Sequence, residues 1–542
     1  MNTFFKDKAG NDIFVLGLQT HNSSNGNREL LDKSIQAVRL FGGNTLETPI
    51  YWGKIEPEEG RYDLTSVEET ILKVREAGLH LILLWFGFSK NAECTYLPEW
   101  AKRDPGRFRR AVAPDGSSIA VMSPHDDAVY EADARCFAHV LREIRRVDGD
   151  TGTVIAVQVE NEVGLGLFAT NRCYSKTAQR IFELGVPDEL DGLELEDTGA
   201  SGDGDSWFGR FGRHAHEAFT AYYLAKQVEK IAAAGKREYD IPLFMNTMVG
   251  ETRQEIAGYS YSSGTPCGRV LEIWHRAAPR IDLFCPDVYQ QHRSSFLRTC
   301  DRHARPWNAL MIPESGIFGQ APAMNLLLAA VRFSAIGIAG FGAESALAPD
   351  GRLTDESKPV AYTYRALAMM APILLRHRFS PRLFAVVQEE GQSYTYVQRA
   401  KYHLTIHFTS SPGRDHPGAR GAGGGLRIDM SDPENQRQRD ERGRVIVFEA
   451  NDDEYFFSGV GCLAMFLRRA DPLDRNPLSG YLSRTAGNLA VFTIEEGHFD
   501  DSGAWVCEYT LRGDELYNGV YARPGVVLRA RLNPRAGEVV EG

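Results

Sequence analysis

The sequence predicts a parallel (β/α)8 TIM barrel followed by an all-β, jelly-roll-like sandwich. Two observations carry this. Up to about residue 375, short apolar runs alternate with helix-length amphipathic stretches. Beyond it, short alternating runs follow one another with no helical segment between them. The apolar runs are 13–19, 45–51, 79–85, 154–159, 243–247, 283–288, 310–312 and 338–341. Each is too short for a helix, and several are rich in Val, Ile and Leu, as strands buried on both faces are;. Between them, 28–40, 67–77, 128–146, 219–234 and 324–335 place apolar residues at helical spacing. Strand–helix alternation repeated eight times is the pattern of a closed parallel barrel. A doubly wound open sheet shares the alternation, but no G-x-G-x-x-G follows the first run. The expected division is a barrel with extended βα loops over residues 1–375 and a β-sandwich over 376–542. In the second part the runs 384–387, 393–398, 403–408, 444–449, 454–460, 490–494, 505–511 and 526–532 read as strands separated by turn residues;.

Composition narrows the function classes. The chain has 542 residues with 61 Lys and Arg against 72 Asp and Glu, a net charge of −11. A nucleic-acid binder or a protein of anionic membranes would show a basic stripe instead. Eight cysteines in this length are too sparse for a disulfide scaffold, and none stand at C-x-x-C spacing, so no metal cluster is expected;. The first residues, MNTFFKDKAG, lack the basic start and apolar core of a signal peptide, which predicts a cytoplasmic protein;. The apolar stretch 324–342 carries Asn325, Arg332 and Ser334 and reads as a buried helix and strand, not a membrane span;. Residues 188–205, rich in Asp, Glu and Gly, form a solvated insertion after the fourth strand;. The Gly/Arg-rich stretch 411–425 is an exposed loop without the interleaved aromatics of an RNA-binding tail;.

Chemistry concentrates at two strand ends. Gln158-Val159-Glu160-Asn161-Glu162 closes the fourth run. Strand alternation puts Gln158, Glu160 and Glu162 on one face, aimed into the barrel. Buried acids are costly unless paired, hydrogen-bonded or reactive. Glu160 suits an inward polar layer, whereas Glu162, outermost at the C-terminal rim, has little structural reason to be there. The second acid, Glu314, follows the seventh run in Met311-Ile312-Pro313-Glu314-Ser315-Gly316. Active sites of such barrels lie at the C-terminal ends of the strands. Glycoside hydrolysis with retention needs two carboxyls about 5–5.5 Å apart, one protonated and one ionised. A divalent metal held by both acids is the rival chemistry, but these strands offer no HxH or HxxxH partner.

With these motifs the chain resembles the clan A glycoside hydrolases, and most closely the family 35 β-galactosidases and their family 42 relatives. The segment Gln158 to Gly164 is similar to the family 35 acid/base motif, which usually has Tyr where Val163 stands. The resemblance implies Glu162 as general acid/base, Asn161 as partner of the sugar 2-hydroxyl and Glu314 as nucleophile, with no cofactor. Further similarity lies in Gly43-Asn44-Thr45, Pro49-Ile50-Tyr51-Trp52, Glu56 to Asp63, and Leu84-Trp85-Phe86-Gly87. Leu271 to Trp274, Pro286 to Tyr289 and His21-Asn22-Ser23-Ser24 look like a bacterial branch with a β-rich C-terminal domain. The chain departs from family 35 where Lys90-Asn91-Ala92-Glu93-Cys94 replaces a Cys-Ala-Glu-Trp segment that reads the galactose 4-hydroxyl. It also lacks the cysteine zinc cluster that family 42 enzymes can carry.

The substrate-binding set expected beside the two glutamates is Asn161, Tyr289, Trp52, Trp85, His21, Asn22, Lys90, Asn91 and Glu344. Tyr289 ends the sixth strand and could bond the nucleophile, as a Tyr there does in many clan members. Trp52, Trp85 and also Trp274 could stack against sugar C–H faces or simply fill the core. His21, Asn22, Lys90 and Asn91 follow the first and third strands, and Glu344 closes the eighth. The resulting expectation is a retaining exo-β-glycosidase, foremost a β-galactosidase acting on a carbohydrate substrate. The same machinery could serve glucosides, arabinosides or galactofuranosides. A carbohydrate-binding protein without turnover, an interaction scaffold and a metal-dependent hydrolase are the other classes. Related enzymes assemble so that a neighbour caps the pocket, which implies a homo-oligomer.

Overall fold

In the computed structural model, which describes residues 5–196, 199, 204–250, 256–410, 432–468, 491–500, 502–512, 516 and 519–533, the apolar runs become parallel strands. Two compact units form. The first comprises Met1–Arg39, Asn44–Gly316 and Ala335–Arg352; the second comprises Leu40–Gly43, Ile317–Ser334 and Leu353–Gly542.

In the first unit the strands are Val15–Gln19, Thr45–Tyr51, His80–Phe86, Val154–Val159, Leu243–Met248 and Leu283–Val288, then a split seventh, then Gly337–Phe341. Each pairs in parallel with its neighbours in chain order, and the first pairs with the eighth, Val15 opposite Gly337, which closes the barrel. The seventh strand is split at Pro313, which has no N–H to give a ladder. Met311–Ile312 pairs with the eighth strand, and Glu314–Ser315 pairs with the sixth, Glu314 opposite Asp287. The break therefore fixes which neighbour Glu314 faces.

Alternation fills the barrel. Val15, Ile82, Leu84, Phe86, Ala156, Phe244, Leu283, Cys285 and Met311 belong to one buried cluster. The intervening residues face the covering helices. Helix Arg28–Phe41 buries Leu31, Ile35 and Val38, and helix Thr65–Glu76 buries Val67, Ile71 and Val74, both at i, i+4, i+7 spacing. Each such side chain contributes about 1.5–3 kcal/mol of burial. The loop after the third strand carries a hairpin, Arg110–Val112 with Ser118–Met122. The insertion 188–205 is less solvated than its composition suggests. Leu190, Leu193 and Leu195 are buried, while residues 197, 198 and 200–203 lie outside the described residues. The apolar stretch 324–342 divides between helix Gln320–Arg332 and the eighth strand. Among the described residues, no helix is long and apolar enough to cross a membrane.

The second unit holds helices Gln320–Arg332 and Lys358–Arg376, together with two antiparallel sheets. Six strands, Leu383–Val387, Arg444–Asn451, Glu454–Val460, Val527–Leu532, Val491–Phe499 and Trp505–Leu511, form one sheet in that order. Tyr394–Gln398, Tyr402–Phe408, Cys462–Arg468 and Val520–Ala522 form the other. Alternate residues of both, among them Tyr402, Leu404, Ile406, Val445, Val447, Tyr455 and Phe457, share one core, which makes a sandwich;. Two of these strands, Cys462–Arg468 and Val520–Ala522, are additional to those expected from the sequence. So is helix Pro433–Asp440, which Asp432 caps through the Glu434 N–H with Pro433 in the first turn;. The Gly/Arg-rich stretch 411–425 lies outside the described residues.

One buried cation organises this unit. Arg444, 1 % exposed, donates to Glu441 Oε2, the Thr363 hydroxyl, and the carbonyls of Pro359 and Arg442. Glu441, 5 % exposed, also accepts from Gln320 Nε2 at 2.8 Å. Replacing Arg444 by Leu strands a buried carboxylate. It should cost about 3–5 kcal/mol, read as a lower urea midpoint of the full chain.

Candidate active site

The strand ends gather a ring of polar groups around Glu314. This carboxyl, 5 % exposed, accepts from Gln19 Nε2 at 3.0 Å, Asn161 Nδ2 at 3.2 Å and Asn246 Nδ2 at 3.2 Å on one oxygen. The other oxygen accepts from the Tyr289 hydroxyl at 2.9 Å. Tyr289 is 48 % exposed, yet its hydroxyl reaches inward. Burial and the Glu314 charge push that phenol upward, so it stays a donor;. Four donors with no acceptor among them describe the surroundings of an ionised carboxylate.

Glu162 belongs to the same cluster. Its backbone N–H donates to Asn246 Oδ1 at 2.9 Å, and its side chain is hydrogen-bonded to Asp287. Asn246 Nδ2 in turn donates to Asp287 Oδ2 at 2.8 Å. Burial, with repulsion from Glu314, raises Glu162 to about 7, offset in part by the Lys90 charge and the bond to Asp287. Asp287 is pushed well up by burial and by the charges of Glu314 and Glu162. Two carboxyls in contact need a proton between them, and both shifts supply one.

Left-handed backbone sets these directions. The fourth strand ends at Val159, and Glu160 and Glu162 have φ of +61° and +48°. The expected common face for Gln158, Glu160 and Glu162 therefore does not form. Glu160 turns to Ser89 N–H at 2.8 Å and to Asp133, away from Glu314. Asn91 and Ala92, after the third strand, are also left-handed, at +53° and +55°. Such residues cost roughly 1–3 kcal/mol each and persist where surrounding bonds hold them. Here Asn161 supplies the hold. Its Oδ1 accepts from Lys90 Nζ at 3.0 Å and Asn91 N–H at 3.2 Å.

The other expected residues divide. His21 Nε2 pairs with the Ser345 hydroxyl at 2.7 Å, and His21 N–H donates to Glu344 Oε2 at 3.2 Å. Asn22 Oδ1 and Glu344 Oε1 are buried without a hydrogen-bond partner. Trp52 and Trp85 are not brought to the cluster. Both are fully buried, their indole N–H groups held by Glu56 at 2.7 Å and Asp133 at 2.7 Å. Trp274 donates to the Gly264 carbonyl at 2.9 Å and is also core.

Four members of the cluster were absent from the expected set: Gln19, Glu47, Asn246 and Asp287. Glu47, on the second strand opposite Gln19 in register, is 0 % exposed, and neither carboxyl oxygen has a hydrogen-bond partner. Burial and the Glu314 charge push it well up, toward the neutral acid. Their signal in the sequence is a lone polar residue at an inward position of an apolar strand, as in LFMNTM and LFCPDV. Among the described residues, no His, Cys, Asp and Glu side chains group to hold a metal ion. A cavity of about 760 Å³ between helices Arg28–Phe41 and Thr65–Glu76 contains none of the site residues. Its charges are partly paired, as Lys73 is with Asp32 at 2.5 Å.

Removing the Glu314 charge by Glu314→Gln should lower the Glu162 pKa from its value of about 7;. A carboxyl-carbon NMR titration of the two proteins checks the direction; an unchanged or higher value refutes the coupling.

Comparison with known proteins finds two family models along the chain. Residues 20–195 match the glycoside hydrolase family 42 model, described as beta-galactosidase, and residues 360–523 match a domain of unknown function, DUF5597. Beta-galactosidase-1-like protein 3 of Homo sapiens is 30 % identical over 142 residues, 25 % of this chain and 20 % of the relative. A beta-galactosidase of Xanthomonas manihotis is 29 % identical over 134 residues, 24 % of this chain and 20 % of the relative. The chain thus spans about a fifth of the length of these curated relatives. The solved beta-galactosidase of Rahnella sp. R3 aligns with 69 % of this chain and 58 % of its own at 16 % identity and a TM-score of 0.48. Over residues 20–195, where the family 42 model matches, the chain resembles the clan A glycoside hydrolases.

Proposed function

We propose that this chain hydrolyses terminal β-glycosides with retention, with β-galactosides as its first substrate class. The observation that carries the proposal is the gathering of two strand-end carboxyls, Glu162 and Glu314, in one buried polar cluster. Glu314 accepts from four donors, while burial and the neighbouring Glu314 raise Glu162 to about 7. In this reading Glu314 attacks the anomeric carbon as Glu162 gives its proton to the leaving oxygen. Water then cleaves the glycosyl-enzyme, with Glu162 acting as base. Asn161 and Tyr289, bonded to Glu314 in the free protein, fix its oxygens for attack and can pass a hydrogen bond to the sugar. The unpartnered acceptors Asn22 Oδ1 and Glu344 Oε1 suit the hydroxyl donors of a sugar;.

Galactose is favoured by the match of residues 20–195 to a model described as beta-galactosidase. A second reading, another β-specific exo-glycosidase acting on glucosides, arabinosides or galactofuranosides, has support in the loop after the third strand. There Lys90 and Asn91 stand where family 35 relatives carry a galactose-reading segment. Eight free cysteines, seven of them buried, fit a reducing compartment, so we place the enzyme in the cytoplasm;.

Glu314→Ala should abolish turnover of a panel of nitrophenyl glycosides, and Glu162→Ala should lower it about 10²–10⁴-fold. Azide should restore the Glu162 variant with release of a β-glycosyl azide. Full activity in either variant, or an α-configured azide product, would sink the assignment. The best substrate of the panel decides between the two sugar readings.

A further inference from the structure

Glu160 is 0 % exposed, and the proposed chemistry does not use it. Its Oε2 accepts from Ser89 N–H at 2.8 Å, while its Oε1 is buried without a partner in hydrogen-bond geometry, the Gly87 N–H lying near the carboxyl. The group that faces it is Asp133, from helix Ala128–Asp148, also 0 % exposed. Gly87 reveals how close the two are. A Cβ built there would collide at once with Asp133 Oδ2, Glu160 Oε1 and Trp85 Nε1, so these three atoms converge on the space the glycine leaves. Asp133 is already supplied with donors, from Trp85 Nε1 to Oδ1 at 2.7 Å and from Phe88 N–H to Oδ2 at 2.7 Å.

Two buried carboxyls facing each other are tenable only with a proton between them. The donors select its owner, because both Asp133 oxygens already accept and one Glu160 oxygen does not. We propose that Glu160 keeps its proton and donates it from Oε1 to Asp133 Oδ2, and that this acid pair is a positioning clamp for the loops after the third and fourth strands. The clamp joins Trp85, Phe88 and Ser89 to the turn at 160. Beyond it, Asn161 N–H meets the Ser89 carbonyl at 3.2 Å and the Ser89 hydroxyl meets the Asn161 carbonyl at 3.3 Å. Asn161 is thereby set to bridge Lys90, Asn91 and Glu314.

The charge environment agrees. Burial and the Asp133 charge push Glu160 well up, and burial raises Asp133 to about 7 even with those hydrogen bonds. The titratable groups facing the pair are Glu56 and Cys136 toward Asp133 and Tyr130 toward Glu160; each is acidic, so none favours a second negative charge there. The positioning role rests on the reading of Glu162 and Glu314 as the reacting pair, whereas the shared proton does not.

The test uses the full chain as wild type, Glu160→Gln, Glu160→Ala and Asp133→Asn. A carboxyl whose folded pKa is raised stabilises the fold fully below its unfolded value of about 4.3, and that stability is lost as pH rises toward the folded value. Glutamine keeps a donor for Asp133 and an acceptor for Ser89 with no proton to lose. Between about pH 5 and pH 9 the Tm of Glu160→Gln should therefore fall less than that of wild type. Its kcat should stay within about threefold, whereas Glu160→Ala should lose kcat about 10²-fold with KM little changed. Asp133→Asn, which offers one acceptor where two donors point, should lower Tm at every pH. A Tm in Glu160→Gln that falls as steeply with pH as in wild type would overturn the shared proton. A kcat as low as that of the alanine variant would overturn the clamp. Should wild type turn over no glycoside, the function reading falls, and the Tm comparison still decides where the proton is.

Discussion

The buried negative charge at the end of the seventh strand is the constraint from which the rest of the site follows. Glu314, Glu162, Asp287 and Glu47 crowd one barrel mouth, and each is shifted by, or shifts, another. Two like charges 4 Å apart repel by about 4 kcal/mol at an effective dielectric of 20. Four anions together are therefore untenable, and the cluster resolves by directing four side-chain donors at one carboxyl. Gln19, Asn161, Asn246 and Tyr289 all point at Glu314. With the charge localised there, the other three are driven toward their neutral forms. The upward shifts of Glu47, Glu162 and Asp287 thus come from burial beside a carboxyl that takes most of the donors.

Barrel geometry makes that distribution possible. The donors come from the ends of the first, fourth, fifth and sixth strands, which a closed parallel sheet brings around one axis;. Pro313 sharpens the arrangement. It breaks the ladder one residue before Glu314, so the carboxyl pairs in register with Asp287 and not with the eighth strand. The Asp287 carboxyl then lies between Glu162 and Asn246, linking the fourth-strand loop to the fifth strand.

The sequence was most legible where a residue's role follows from position along a strand. Apolar runs gave the eight barrel strands because burial on both faces leaves little room for other residues. Glu162 and Glu314 stood out because acids at strand ends are hard to explain by packing. Asn246 and Asp287 were hidden because a single inward polar residue in LFMNTM or LFCPDV does not disturb the strand pattern. Trp52 and Trp85 were expected near the sugar from their places beside the rim. Their indole N–H groups are held instead by acids, Trp52 by Glu56 four residues on and Trp85 by Asp133 from a distant helix, which no local pattern pairs with it. In the second unit, short strands such as Val520–Ala522 are stabilised by partners distant in sequence, which local alternation does not register.

The turn Glu160-Asn161-Glu162 shows why alternation failed at the point of greatest interest. Continued as a strand, it would have sent both glutamates into the barrel and Asn161 outward. That would add a further acid to an interior already short of positive charge and remove a donor from Glu314. Left-handed backbone at both glutamates reverses the outcome. Glu160 turns to Asp133, Glu162 meets Asp287, and Asn161 between them reaches Glu314. The backbone strain is held by bonds on both sides, from the Ser89 N–H to Glu160 and from the Glu162 N–H to Asn246 Oδ1. The same three residues thus separate two acid pairs and deliver one amide to the anion, an arrangement that regular strand geometry cannot produce.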